Sequence, residues 1–119
     1  MKMIHYPSQM YLPIRIVAVN AFMARGFWRR LLGLMFRRAF KPMDAMIFAA
    51  CRAIHTHFMK FPIDVICLNS SNFVCDIADT IKPGRVFVPR IAPSYLIELP
   101  AGTIREYGIK NGDFIVIDK

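Results

Sequence analysis

The sequence predicts a mainly β protein, a compact β-barrel or β-sandwich with two short helices. Three observations carry that expectation. Short runs rich in Val, Ile and Phe, such as residues 14–19, 63–69 and 114–117, recur along the chain, as strands require. Pro, Gly, Asn and Ser cluster between them, where turns are needed. Helix signals are confined to two stretches, so layered strands rather than a helix bundle must bury the apolar residues. At 119 residues the chain suits one domain with a sizeable core. Residues 1–13 read as an N-terminal extension and residues 14–119 as a single β-rich domain.

Residues 14–19 (IRIVAV) open the domain as a β-branched strand. Asn20 then stands where an N-cap belongs. AFMARGFWRRLLGLM, residues 21–35, reads as the first helix, with Phe22, Trp28, Leu31, Leu32 and Met35 turned inward. Residues 45–50 form a short apolar strand. Two more strands, 54–59 and 63–69, are separated at Pro62, which has no amide to give a ladder. Val65, Ile66, Cys67 and Leu68 are apolar on both faces, which places their strand inside a sheet. Asn69-Ser70-Ser71-Asn72 supplies the turn from which residues 73–77 pair back as a hairpin. Pro83-Gly84 marks the next turn and 85–88 a short strand, and Pro89 and Pro93 bracket a loop before a strand at 94–99. In the tail, Thr103 and Glu106 stand at capping-box spacing. The second helix ends at Gly108, the usual left-handed C′ residue, and Asn111-Gly112-Asp113 turns into a closing strand at 114–117.

Composition excludes some classes and leaves others open. A hydrophobic content of 55% and mean hydropathy of +0.37 would suit a membrane protein. The longest uninterrupted apolar run, residues 45–51, is far below the roughly 18 residues a spanning helix needs. The start of the chain, broken by Pro7, Gln9 and Pro13, lacks the apolar centre of a signal peptide. A cytoplasmic location without a membrane partner is therefore expected. Cys51, Cys67 and Cys75 are odd in number and lack C-x-x-C spacing, so they read as reduced core thiols. Residues 1–60 hold ten Lys/Arg against one acid, whereas residues 61–119 hold six against seven. Such local basicity favours nucleic acid, anionic lipid or an acidic partner. The chain carries no G-x-S-x-G elbow, no G-x-x-x-x-G-K-[ST] loop and no H-E-x-x-H.

Three ordered blocks carry a resemblance. They are Phe27-Trp28-x-Arg30-x-x-Gly33-Leu34-Met35, then Ile54-His55-Thr56-x-Phe58-Met59-x-Phe61-Pro62-Ile63-Asp64-Val65, then Leu99-Pro100-Ala101-Gly102-Thr103 with Gly108-Ile109-Lys110-x-Gly112-Asp113. Together they resemble a small prokaryotic family, the domain of unknown function one-nine-two, over nearly all of the chain from residue 14. The resemblance implies a compact β-rich domain with short helices and brings no established reaction, cofactor or catalytic residue. Many members of that family carry an export signal, which this start lacks. His57 departs from the family pattern, where an aromatic residue is more usual.

Within these blocks two features could carry chemistry. On an extended strand His55 and His57 share a face, and with Asp64 or Cys51 as a third ligand they could hold a divalent metal with one position left open. The plainer reading is one histidine bonded to backbone and the other at the surface. Asp64 opens an apolar run where a lone carboxylate is costly unless bonded or paired. Arg30 is its natural partner, with a planar fork that fits a carboxylate. This pair either locks the first helix to the sheet or, with His55, lines a small cleft. Arg25, Arg29, Arg30, Arg37 and Arg38 form a basic stripe that could contact phosphates. No aromatic platform of the kind single strands stack on accompanies it. The leading expectation is a non-enzymatic binding or accessory domain for a small polar or anionic ligand, or a protein partner, centred on His55, Asp64 and Arg30. A metal-dependent enzyme using His55 and His57 and a nucleic-acid binder using the arginines are the alternatives.

Overall fold

The computed structural model describes residues 1–26, 34–35, 37–41 and 43–119. Among them the chain runs through β1 (Lys2–Tyr6), β2 (Arg15–Ala18), β3 (Ala21–Met23), β4 (Ala45–Ala49) and β5 (Ile54–His55). It continues through β6 (Ile63–Leu68), β7 (Val74–Ile81), β8 (Val86–Phe87), β9 (Tyr95–Pro100), α1 (Thr103–Tyr107) and β10 (Phe114–Asp118). The fold is mainly β, as expected. Its strands form a five-stranded sheet ordered β3-β4-β9-β6-β7, a three-stranded sheet ordered β10-β1-β2, and the pair β5-β8. β3 runs parallel to β4, and the other pairings are antiparallel. The larger sheet keeps β3 and β7 as edges, so the architecture is layered, with no closed barrel among the described residues. One helix, rather than two, lies among the described residues.

Strand periodicity explains the layers. Ala45, Ile47, Ile66, Leu68, Ile97 and Leu99 project from one face of the five-stranded sheet. They meet Met3, Val17, Ala18 and Ile115 of the smaller sheet and Ile104 of α1. The alternate residues Met46, Phe48, Ile63, Val65, Cys67 and Leu96 enter a second cluster on the opposite face, closed by Ala24, Leu34, Phe40, Met43 and Met59. β6 is therefore covered on both sides. All six of its residues are buried, at about 1.5–3 kcal/mol for each large apolar side chain. This double cover is why residues 65–68 are apolar on both faces.

Several expectations need correction. Residues 1–13 are not an extension, because β1 is the middle strand of the smaller sheet and Met3 and His5 are fully buried. Ala21–Met23 does not begin a helix but pairs with β4 from Ala21↔Ala45 to Met23↔Ile47, and the Ala24 amide donates to Ile47 O at 2.9 Å. Val19 and Asn20 give their amides to the Asp44 carboxylate at 2.8 Å each, which holds a turn rather than a cap. The rest of that predicted helix, residues 27–33, lies outside the described residues. The hairpin between β6 and β7 is as read: Asn69 Oδ1 accepts the amides of Ser71 and Phe73, each at 3.0 Å.

Candidate functional site

Asp64 sits second in β6 and, by alternation, faces the side on which α1 packs. Its carboxylate is fully buried. Oδ1 accepts the Thr80 amide at 2.8 Å, and Oδ2 accepts the amides of Gly102 at 3.1 Å and Ile104 at 2.9 Å. Three backbone donors thus satisfy a charge that would otherwise be prohibitive in the interior. Asp64 also does the work expected of Thr103. The N-cap residue of α1 is Gly102, at φ 95°, with no local side-chain cap, and the Thr103 hydroxyl donates to Pro100 O at 2.6 Å instead. Asp64 thus ties α1 and β7 to β6 through backbone amides. Arg30 lies outside the described residues.

His55 does not join Asp64. Ile54, beside it in β5, packs on the second cluster, across the five-stranded sheet from the α1 side. His55 Nδ1 accepts the His57 amide at 3.2 Å, and the two rings stack with centroids 5.2 Å apart. Cys51 Sγ donates to Ala53 O at 3.1 Å. Among the described residues no three His, Cys, Asp or Glu side chains converge as a metal centre needs, so His55, His57 and Cys51 are not assembled into one. The three cysteines are unpaired, and burial, with Cys75 and Asp76 nearby, pushes the Cys67 thiol up to about 12. It is an inert core thiol. Arg25, Arg37 and Arg38 are exposed, and Arg29 lies outside the described residues.

Two polar features escaped the sequence reading. His5 Nε2 and Asp113 Oδ2 are 2.6 Å apart, both side chains buried, joining β1 to the turn before β10. Asp113 also accepts the Ser8 amide and hydroxyl at 2.9 and 2.8 Å and the Lys110 amide at 3.0 Å. Burial alone would raise its pKa, but the His5 bond and the Ser8 and Lys110 donors hold it below the usual carboxylate range. Ser8 bonds to Asp113 rather than to His5, so no nucleophile–base relay forms here.

Glu98 is the second. In β9 it lies directly opposite Met46 and Val65, on the face of the second cluster. It is 4% exposed and its Oε2 has no hydrogen-bond partner. Burial pushes its pKa up to about 8. The signal was a glutamate inside the alternating run of residues 94–99, where a polar residue on an exposed face would read identically.

An open cavity of about 460 Å3 lies at the start of α1, walled by Val17, Pro100 and Tyr107, with Asp44 and Glu106 as its charged groups. Arg15 stacks on the Tyr107 ring at 4.6 Å to its centroid and donates to Glu106 O at 3.1 Å.

Fold and polar interior together define a small, mainly β domain whose buried aspartates accept its own backbone amides, a class set by architecture rather than by a reaction. The chain belongs to the DUF192 family, described as Uncharacterized ACR, which it matches over residues 12–117. It is similar to a UPF0127 protein of Pyrococcus furiosus, 36% identical over 103 residues, covering 82% of this chain and 85% of that protein. A second UPF0127 protein, from Pyrococcus horikoshii, is 38% identical over 98 residues, covering 77% and 82%. Among solved structures it resembles a protein of unknown function from Novosphingobium aromaticivorans, with a TM-score of 0.83 and 20% identity over 98% of this chain and 84% of that one. A Sinorhizobium meliloti protein, provisionally described as a transcription regulator, gives 0.80 and 21% over 97% and 92%. At such identities the likeness is one of fold. Among the described residues no helix is long and apolar enough to cross a membrane.

Proposed function

We propose that the protein is a cytoplasmic binding or accessory domain for a small polar ligand, and that the ligand carries a cationic group. The observation that supports this reading is the charge of the cavity at the start of α1. In a chain of net charge +8, the charged groups lining it are both acids, Asp44 and Glu106. Neither forms an ion pair with another described residue. Asp44 is held in place by two backbone amides, so a ligand need not meet the cost of ordering it. Val17, Pro100 and Tyr107 offer apolar contact to the rest of a small molecule. An anionic ligand would meet repulsion here, which moves the expectation from an anion to an amine or guanidine. The unpaired cysteines favour a reducing compartment.

Thermal unfolding in the presence of small amines, guanidines and carboxylates tests the proposal. A ligand at about one hundred times its Kd stabilises by about 2.7 kcal/mol, or roughly 10 °C for a domain this size. A cationic compound should raise the midpoint of the parent and not of Glu106→Gln, whose side chain is exposed and forms no ion pair with another described residue. Equal responses in the two proteins, or a response confined to carboxylates, would refute it.

A further inference from the structure

The pair β5-β8 and its flanks combine exposed aliphatic tips with cations and carry no acid. Thr56 clasps the lobe: its hydroxyl donates to Lys82 O at 2.6 Å and accepts the Arg85 amide at 2.8 Å. Its own amide donates to Arg85 O at 2.8 Å, and Gly84 N donates to Thr56 O at 2.9 Å. Ile54 and Phe87 turn inward onto the second cluster. Val86, opposite His55, therefore turns outward, and Val86, Val88 and Ile91 are each 65% exposed. The segments that flank the pair carry exposed Arg52, Lys60, Lys82 and Arg85, and neither residues 51–61 nor residues 81–93 contain an acid. Arg90 is set apart from this group, because Asp76 accepts its amide at 2.9 Å and its guanidinium at 3.1 Å.

We propose that this lobe docks on an anionic lipid surface, with Val86, Val88 and Ile91 entering the interface and Arg52, Lys60, Lys82 and Arg85 against the headgroup phosphates. Charge complementarity names the partner as anionic. Three branched aliphatic tips gain by leaving water at a headgroup boundary, and the exposed Phe58 ring adds apolar area to the same lobe. This mostly aliphatic surface favours lipid over nucleic acid, whose bases stack on flat rings. Lying on a bilayer asks nothing of helix length, so the absence of a spanning helix among the described residues does not bear on it. The site is separate from the cavity at the start of α1 and stands without it.

Co-sedimentation of the full chain with phosphatidylglycerol/phosphatidylcholine vesicles, against phosphatidylcholine alone, is the test. The parent should bind the anionic vesicles and release with rising salt. Each cation removed near the surface should weaken binding about fivefold, so the pair Lys82→Gln, Arg85→Gln should lose roughly 25-fold. A control pair of equal charge change, Lys110→Gln, Lys119→Gln, should lose little. Val86→Ser with Val88→Ser should weaken binding and leave the remainder fully reversible by salt. All these side chains are exposed, and unchanged thermal midpoints confirm the folds. No binding to anionic vesicles overturns the proposal, as does an equal loss in the control pair, which would mean adhesion by net charge. Binding to a polyanion such as heparin without binding to vesicles overturns it in favour of another acidic partner.

Discussion

Replacing Glu98 should stabilise the protein, by an amount that depends on pH. Its carboxyl is 4% exposed, flanked by Met46 and Val65, and has an unbonded oxygen. Burial raises its pKa from 4.5 to about 8. The native state therefore holds this proton more tightly than the unfolded chain does. Stability from this group is fully present below pH 4.5 and is lost as pH rises towards 8. Each pH unit between those values costs about 1.4 kcal/mol, so roughly 3 kcal/mol is lost between pH 5 and 7. Glu98→Met fills similar volume without a titrating group and should abolish that slope. At pH 7 it should exceed the parent by about 3 kcal/mol, a shift of about 2 M in urea midpoint at a typical slope for a small domain. At pH 5 the two should lie much closer. Urea unfolding of both proteins at pH 5, 6, 7 and 8 decides the matter, because the difference between them cancels every other titrating group. Parallel stability profiles would show that the native state does not hold the Glu98 proton, and the reasoning would fail.

Other outcomes follow from the same structure. Asp64→Asn keeps one acceptor oxygen for three amides and should cost about 2–4 kcal/mol in chemical unfolding, since each orphaned buried donor costs about 1–3 kcal/mol; an unchanged midpoint would mean the carboxylate is not the cap. Asp113→Asn should destabilise at neutral pH, and because the Asp113 pKa is lowered from 3.8, the gap from the parent should narrow as the pH falls below that value; a gap as wide at pH 2 as at pH 7 would contradict this. Gly108→Ala forces a Cβ at φ 65° and 3.2 Å from Leu12 Cδ1, so a loss of about 1–2 kcal/mol is expected in the same assay. A chelator should leave the thermal midpoint unchanged, and His55→Ala with His57→Ala should not alter the metal content measured by elemental analysis.

What was legible in the sequence was what local chemistry dictates. β4, β6, β9 and β10 announce themselves as apolar runs, the Asn69 turn by its side chain, and the end of α1 by Gly108, at φ 65°. What was hidden depends on residues far apart. The cap of α1 comes from Asp64, 38 and 40 residues before the amides it accepts, so the nearer Thr103 drew the assignment. β1 was obscured by Pro7 and Pro13, which mark its exit loop and not an extension. Its inward His5 gains meaning from Asp113, 108 residues away. Strand 21–23 was lost to helix-forming residues that follow it, because parallel pairing with β4 overrides local propensity. The cavity was not legible at all, as Asp44 and Glu106 lie in different parts of the chain and meet through packing alone.

The bond from Asp64 to α1 also sets when that helix can exist. Five residues are too few to persist alone in water, and the amides at its start have no acceptor until β6 lies beside β9. The helix is therefore a late passenger of sheet assembly. The amides of Gly102 and Ile104, at an end where helices ordinarily fray, should resist exchange with solvent deuterium as long as the central strands do. Their protection would report on the integrity of β6 rather than on the helix that contains them.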